Sequence, residues 1–129
     1  MKLKVLGCNG GIGSGGHTTA LLLDEDILID AGTGVGNLSL DELRKIDHLF
    51  VTHAHLDHIA FIPFLVDTVG CQRSQPLVVH ALPETLDSLQ QYIFNWHIWP
   101  DFTKIPDATH PYMRLEPFSI GTAIELDSR

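Results

Sequence analysis

Apolar residues recur along this chain with two periods, and the switches between them mark its elements. "KLKVLG" (2–7) alternates basic and apolar residues up to Gly7 and predicts a short strand with one buried face. "NGGIGSGG" (9–16) must be a loop. "TTALLL" and "ILID", joined by the acidic turn "DED" (24–26), predict a β-hairpin, and "AGTGVG" breaks the chain after it. "SLDELRKI" (39–46) is predicted to be a short helix, with Ser39 as N-cap and Glu42 at capping-box spacing. "HLFVT" (48–52) is predicted to be a buried strand.

From Ile59 to Val69 nearly every residue is apolar, which predicts a buried helix with Pro63 in its first turn. "PLVVHA" is a strand. "LPETLDSLQQYIFN" is an amphipathic helix opened by Pro83, with Leu86, Leu89 and Ile93 on one stripe. "WHIWPDF" (96–102) is aromatic and irregular, and "MRLEPFSIGTAIEL" (113–126) predicts two strands around a turn at Gly121. There is no internal repeat and no linker. Strands first, then strands interleaved with helices, predict an α/β domain: a mixed sheet with helices on one face.

Composition adds little to the fold but narrows the function. The 129 residues are 44% hydrophobic and 19% charged, an ordinary globular balance for one domain with a modest core. The net charge of −8 gives no basic stripe of the kind that non-specific binding to nucleic acid requires. Two cysteines, Cys8 and Cys71, are too few for a disulfide framework and are read as buried apolar thiols in a cytoplasmic protein. No apolar run reaches the roughly 18 residues of a membrane span. A small anionic substrate would need local help in such a chain, which a metal would supply.

The decisive stretch is "THAHLDH" (52–58), where His53, His55, Asp57 and His58 crowd into six positions directly after a strand. His53 and His55 alternate, so an extended backbone puts both imidazoles on one side, where they can chelate one cation. Asp57 and His58 fall where the chain turns into a helix, so they are expected to point elsewhere and to grip a second cation. Imidazole with carboxylate suits zinc, and also iron or manganese. Two such ions close together suit hydrolysis of a phosphoester or a carbonyl compound, by activating water near neutral pH and stabilising the leaving oxygen.

The His-x-His-x-Asp-His spacing after a hydrophobic strand resembles the signature of the metallo-β-lactamase fold superfamily, and "ILIDAG" (27–32) is similar to that superfamily's earlier strand ending in an aspartate. The resemblance implies the amino-terminal half of an αββα sandwich. It implies a first metal on His53 and His55 and a second on Asp57 and His58, with Asp30 orienting the loop from beneath. It assigns Asp57 a catalytic part as well, holding or relaying the proton of the attacking water. A further histidine, an aspartate and a last histidine would complete the site, and the downstream His80, His97 and His110 sit in no such motif. The chain also stops three residues after the strand-like "AIEL". Residues 1–129 are therefore expected to be a single domain truncated at its carboxy end, its exposed face prone to self-association.

Within the superfamily, "HAHLDHIAFIPFLVD" and the later "YIFNWHIWPDF" resemble the class II cyclic-nucleotide phosphodiesterases, although Phe61 stands where that group prefers glycine or serine. The glycine-rich "GCNGGIGSGGHTTALLL" also looks like the start of the tRNA 3′-processing endonucleases. The favoured expectation is a hydrolase of 3′,5′-cyclic nucleotides acting on a small anionic nucleotide. The alternatives are the endonuclease, a thioester hydrolase of the glyoxalase II type and a non-catalytic metal-binding module. The glycines at 10–16 could cradle a phosphate but more readily form a loop. Trp96, His97, Trp99 and Phe102 could stack a base or pack beside the preceding helix. Asp47 and His48 read as surface.

Overall fold

The computed structural model describes residues 1–127 and 129. Six strands make one sheet in sequence order: β1 (Leu3–Gly7), β2 (Ala20–Leu23), β3 (Ile27–Ile29), β4 (His48–Phe50), β5 (Leu77–Ala81) and β6 (Met113–Pro117). The first three strands are antiparallel neighbours, and β3 to β6 run parallel. The change follows from connection length. A tight turn can only reverse the chain, whereas parallel neighbours need a crossover. Those crossovers carry α1 (Leu40–Arg44), α2 (Leu56–Ile59), α3 (Ile62–Val69) and α4 (Pro83–Tyr92).

One register row runs across the sheet. Leu22 pairs Leu28, Leu28 pairs Leu49 and Leu49 pairs Val79, and all four are at most 4% exposed. Leu65, Val66 and Val69 of α3 and Leu86 and Leu89 of α4 join that row in a single core. Truncating Leu49 or Leu28 to alanine would cost about 2–5 kcal/mol, because a β-sheet centre cannot collapse into the void.

The opposite face is covered less well. Val5 is exposed, and the half-buried Ile29 and Phe50 line, with Ile124 and Leu126, a groove of about 390 Å³. The expected second strand of the tail is therefore absent: after the Gly121 turn, residues 122–126 form no strand. Arg129 bonds Asp24 and Asp26 and ties this segment across the sheet instead. Both carboxylates are held below their ordinary pKa, Asp24 mainly by the Lys2 amide and Asp26 mainly by Arg129.

Other differences have local causes. The helix expected over 59–69 begins at Ile62, because the chain bends at Ala60–Phe61 between α2 and α3, and Phe64 faces solvent. The capping box on α1 forms as expected: Ser39 Oγ accepts from the Glu42 amide, and Glu42 accepts from the Ser39 amide. That bond, with Lys4 beside it, lowers the Glu42 pKa to about 2. Cys8 and Cys71 are exposed rather than buried: Cys8 lies in irregular chain just after β1 and Cys71 in the short 3-10 helix Gly70–Gln72 after α3. No helix among the described residues is long and apolar enough to cross a membrane.

Candidate metal centre

The site forms where two adjacent parallel strands end. Asp30 follows β3, and residues 51–58 follow β4 into α2. The carboxyl ends of parallel strands are where open α/β sheets place their ligands. The Asp30 amide donates to the Phe50 carbonyl at 2.8 Å, which extends the β3–β4 ladder by one step. Asp30 then turns into the left-handed region, φ +57°, a conformation that aspartate tolerates better than most residues. Its side chain, 2% exposed, swings under the loop.

Every acceptor position used on Asp30 faces that loop. Oδ1 accepts from the Thr52 amide at 2.8 Å; Oδ2 accepts from Thr52 Oγ1 at 2.8 Å and faces His58 Nδ1 at 2.7 Å. The hydrogen bonds fix the tautomers. A carboxylate only accepts, so His58 Nδ1 carries a proton, and in the neutral ring Nε2 is then the lone pair. Thr52 Oγ1 has spent its one hydrogen on Asp30. At its 3.0 Å contact with His53 Nδ1 it must accept, so His53 also donates from Nδ1 and presents Nε2 as a lone pair. One buried carboxylate thus sets two imidazoles, directly and through Thr52. Oriented imidazoles of this kind are what metal sites use.

The four sequence-identified residues come together. The His53 ring lies 4.6 Å from that of His55 and 4.1 Å from that of His58, and Asp57 Oδ2 is 3.4 Å from His58 Nε2. The expectation that Asp57 and His58 point away from the first pair needs correction. The loop folds back on itself because His58 is pulled under by Asp30. A lone pair on His58 Nε2 facing the Asp57 carboxylate is an acceptor against an acceptor, an arrangement that a cation satisfies. The donor set therefore fits a metal in kind. It is gathered but open: among the described residues no three such side chains converge closely enough to enclose an ion.

Two residues that spacing did not single out complete the frame. Thr52 bridges Asp30 and His53, and no sequence signal marks it beyond its place ahead of the histidines. Gly32 is required by packing: a Cβ there would meet the Asp57 carbonyl oxygen at 2.3 Å and Thr18 Oγ1 at 2.3 Å. Thr18 and Thr33 lock the same corner by exchanging amide-to-hydroxyl bonds of 2.8 and 2.7 Å.

The remaining candidates lie apart from this cluster. The glycine-rich loop borders a separate shallow groove with Cys8, Asn9 and His17. His97 and His110 are exposed. His80 is buried on β5, its Nε2 3.0 Å from His48 Nδ1, and it stacks on Phe50 at 4.5 Å. His48 is thus half-buried in β4 rather than on the surface. Burial pushes the His80 pKa down, the charge on His48 adds to this, and Glu116 opposes it.

The sequence pattern of the family described as cAMP phosphodiesterases class-II matches residues 39–119, from the capping box of α1 through the end of β6. The chain belongs to that family. Among curated relatives, a probable 3′,5′-cyclic-nucleotide phosphodiesterase of Yersinia pestis is 35% identical over 60 residues, 46% of this chain and 16% of its own length. A nuclear ribonuclease Z of Triticum aestivum is 30% identical over 116 residues, 90% of this chain and 60% of its own.

Unliganded yeast PDE1 superposes with a TM-score of 0.74 at 20% identity, covering 96% of this chain and 52% of that structure. The metallo-β-lactamase fold protein YhfI from Bacillus subtilis superposes with a TM-score of 0.66 at 19% identity, covering 97% and 49%. The fold is that of the metallo-β-lactamase superfamily, and this chain spans about half the length of the solved structures it matches. The relatives are hydrolases by name, and the chain is a member of a hydrolase family.

Proposed function

We propose that the protein hydrolyses phosphodiesters, with a 3′,5′-cyclic nucleotide as its substrate and zinc-type cations, two in number, at His53, His55, Asp57 and His58. One observation carries the reading: the buried Asp30 carboxylate holds His58 Nδ1 directly and His53 Nδ1 through Thr52, which leaves Nε2 of each neutral ring as a lone pair, with Asp57 Oδ2 3.4 Å from that of His58. A protein that used these histidines only for packing would gain nothing from fixing their tautomers. Family membership and the cyclic-nucleotide phosphodiesterase relatives support the reaction class.

Cations held by His53, His55, Asp57 and His58 would supply Lewis acidity for activating water and neutralising phosphoryl charge. The chain's own groups do the rest. Asp57, 35% exposed on its side chain, accepts the proton of the attacking water at its carboxylate. As the new P–O bond forms, one of the two ester bonds of the cyclic phosphate breaks, and Asp57 returns the proton to the leaving alkoxide. His58 stays oriented through Asp30, and Gly32 lets the Asp57 backbone approach closely enough to hold this geometry. A net charge of −8 weighs against non-specific nucleic-acid binding and is consistent with a small nucleotide held by local charges.

The ribonuclease Z match along 90% of the chain supports one second reading, a tRNA 3′-processing endonuclease. Assays of the full-length protein with added zinc or manganese separate these. Bis-p-nitrophenyl phosphate and cyclic AMP should be hydrolysed, and chelator should abolish both activities. Turnover of a tRNA precursor with cyclic AMP untouched selects the endonuclease. Brisk hydrolysis of S-lactoylglutathione with every phosphodiester ignored overturns the phosphodiester reading.

A further inference from the structure

The helix that carries Asp57 and His58 cannot hold them in place by itself. α2 spans only Leu56–Ile59, and its N-cap His55 makes no side-chain capping bond. A single helical turn fixes several dihedrals for very few hydrogen bonds, so its orientation must come from outside. That support comes from residues 31–33. The Ala31 amide donates to the His58 carbonyl at 2.7 Å, and the Ala31 carbonyl accepts from the Phe61 amide at 2.9 Å. Gly32 sits against Asp57, whose carbonyl oxygen lies 2.3 Å from where a Cβ would stand. Its φ of −75° is open to any residue, so space alone demands glycine there.

Residues 31–33 are fixed in turn from the β2 side. Thr18, 4% exposed, lies just beyond the glycine-rich loop. Its Oγ1 accepts from the Thr33 amide at 2.7 Å, and Thr33 Oγ1 accepts from the Thr18 amide at 2.8 Å. The Gly32 amide donates to the Thr19 carbonyl at 2.8 Å. Thr18 Oγ1 also lies 2.3 Å from the point a Gly32 Cβ would occupy, so the hydroxyl and the Asp57 carbonyl flank the same point. Two hydroxyls thus serve two backbone amides where the chain beneath Asp57 is thinnest. Because each bond tolerates little change in length, the pair fixes the spacing between the segment at 18–19 and the one at 31–33.

We propose that Thr18 and Thr33 are positioning residues for Asp57 and His58, setting the height of α2 against the cation cluster. The inference rests on the metal-dependent phosphodiesterase reading above. Asp30 fixes the His58 ring, and the threonine pair fixes the backbone that carries it. His53 is supported separately, through Thr52 on Asp30. The pair therefore acts on one half of the donor set. It also gives the glycine-rich loop a part in the site, because the loop's end reaches Asp57 through Thr18 and Gly32.

The test uses the full-length protein. Thr18→Val and Thr33→Val keep the side-chain shape and remove a hydroxyl, whereas Thr18→Ser and Thr33→Ser keep it. Cobalt(II) titration, followed by visible absorption, resolves two binding steps in the wild type. Each valine variant weakens one step about 10–100-fold and leaves the other nearly unchanged. With zinc or manganese added, kcat for cyclic AMP falls by a similar factor and KM moves far less. The serine variants stay close to wild type in both readings. Thr33 is half-buried, so Thr33→Val decides the matter even if Thr18→Val fails to fold. Two unchanged steps in the valine variants, or equal weakening of both, overturn the positioning role and leave phosphodiester hydrolysis standing. Serine variants as impaired as the valine ones overturn it too, since packing and not the hydroxyl would then matter. A wild type with a single binding step overturns the selectivity. Selective loss of one step in a protein that hydrolyses no phosphodiester keeps the positioning role and overturns the reaction instead.

Discussion

Strand β4 carries a histidine cluster at each end, and the two have opposite characters. At its start, His48 meets His80 at 3.0 Å, and His80 is buried flat against Phe50. Beyond its end, His53, His55 and His58 gather around open space, with Asp30 fixing two of them from beneath. In the first cluster one imidazole bonds the other, so the ring nitrogens that meet are satisfied. In the second, the protons are drawn to the side of the buried carboxylate and the Nε2 lone pairs are left free. Crowding of histidines alone does not make a metal site. What sets the second cluster apart is the carboxylate behind the rings, which decides which nitrogen is free.

The contrast breaks most visibly if Asp57→Ala leaves turnover intact. It is expected to lower kcat for phosphodiesters by about 10²–10⁴-fold, the range for losing a general base, with KM moving far less. His80→Phe, in the other cluster, should leave kcat within about twofold, as expected of a change away from the reacting groups. Elemental analysis gives the second test. His53→Ala with His55→Ala should lose bound metal relative to wild type, whereas His48→Gln should not. Equal metal content in all three proteins would remove the distinction between the clusters.

Asp30→Asn sharpens the comparison further, since an amide has one acceptor oxygen and cannot serve the Thr52 amide on one side and Thr52 Oγ1 with His58 Nδ1 on the other. Metal affinity measured by chelator competition should fall about 10–100-fold while the fold persists. An unchanged affinity would mean that the tautomers are set by something other than Asp30. The smallest effect belongs to His80. Its folded-state pKa lies below the ordinary 6.5, from burial first and His48 second. The unfolded chain therefore takes up a proton that the folded one resists. Stability should be full above pH 6.5 and fall as the pH drops below it. Thermal melts between pH 7 and 5 should show this slope in the wild type and a shallower one in His80→Phe.

Much of this was readable in the sequence. The acidic hairpin turn and the capping box of α1 are local signals, and each produced the element it predicted. "KLKVLG" produced its strand too, but the expected buried face is wrong, since Leu3 and Val5 are both 56% exposed and only Leu6 and Gly7 are buried. The His-x-His-x-Asp-His spacing placed four donors in one loop because so short a segment cannot scatter them. What local pattern misjudged was burial and partnership. Cys8 and Cys71 were expected inside and are exposed, and "AIEL" has strand composition but no neighbouring strand to pair with. Phe64 sits in an apolar run yet faces solvent, because α3 turns only one side to the sheet.

The residue types and spacings along one chain thus determined the strands, the helices and the identity of the donors, since those depend on neighbours within a few positions. The tertiary structure alone decided which nitrogens of the donors are free. That choice depends on Asp30 and Thr52, 22 residues apart in sequence, meeting at 2.8 Å where β3 and β4 end side by side. Hydrogen-bond direction is a property of atoms in contact, and contact between distant positions exists only once the sheet has formed.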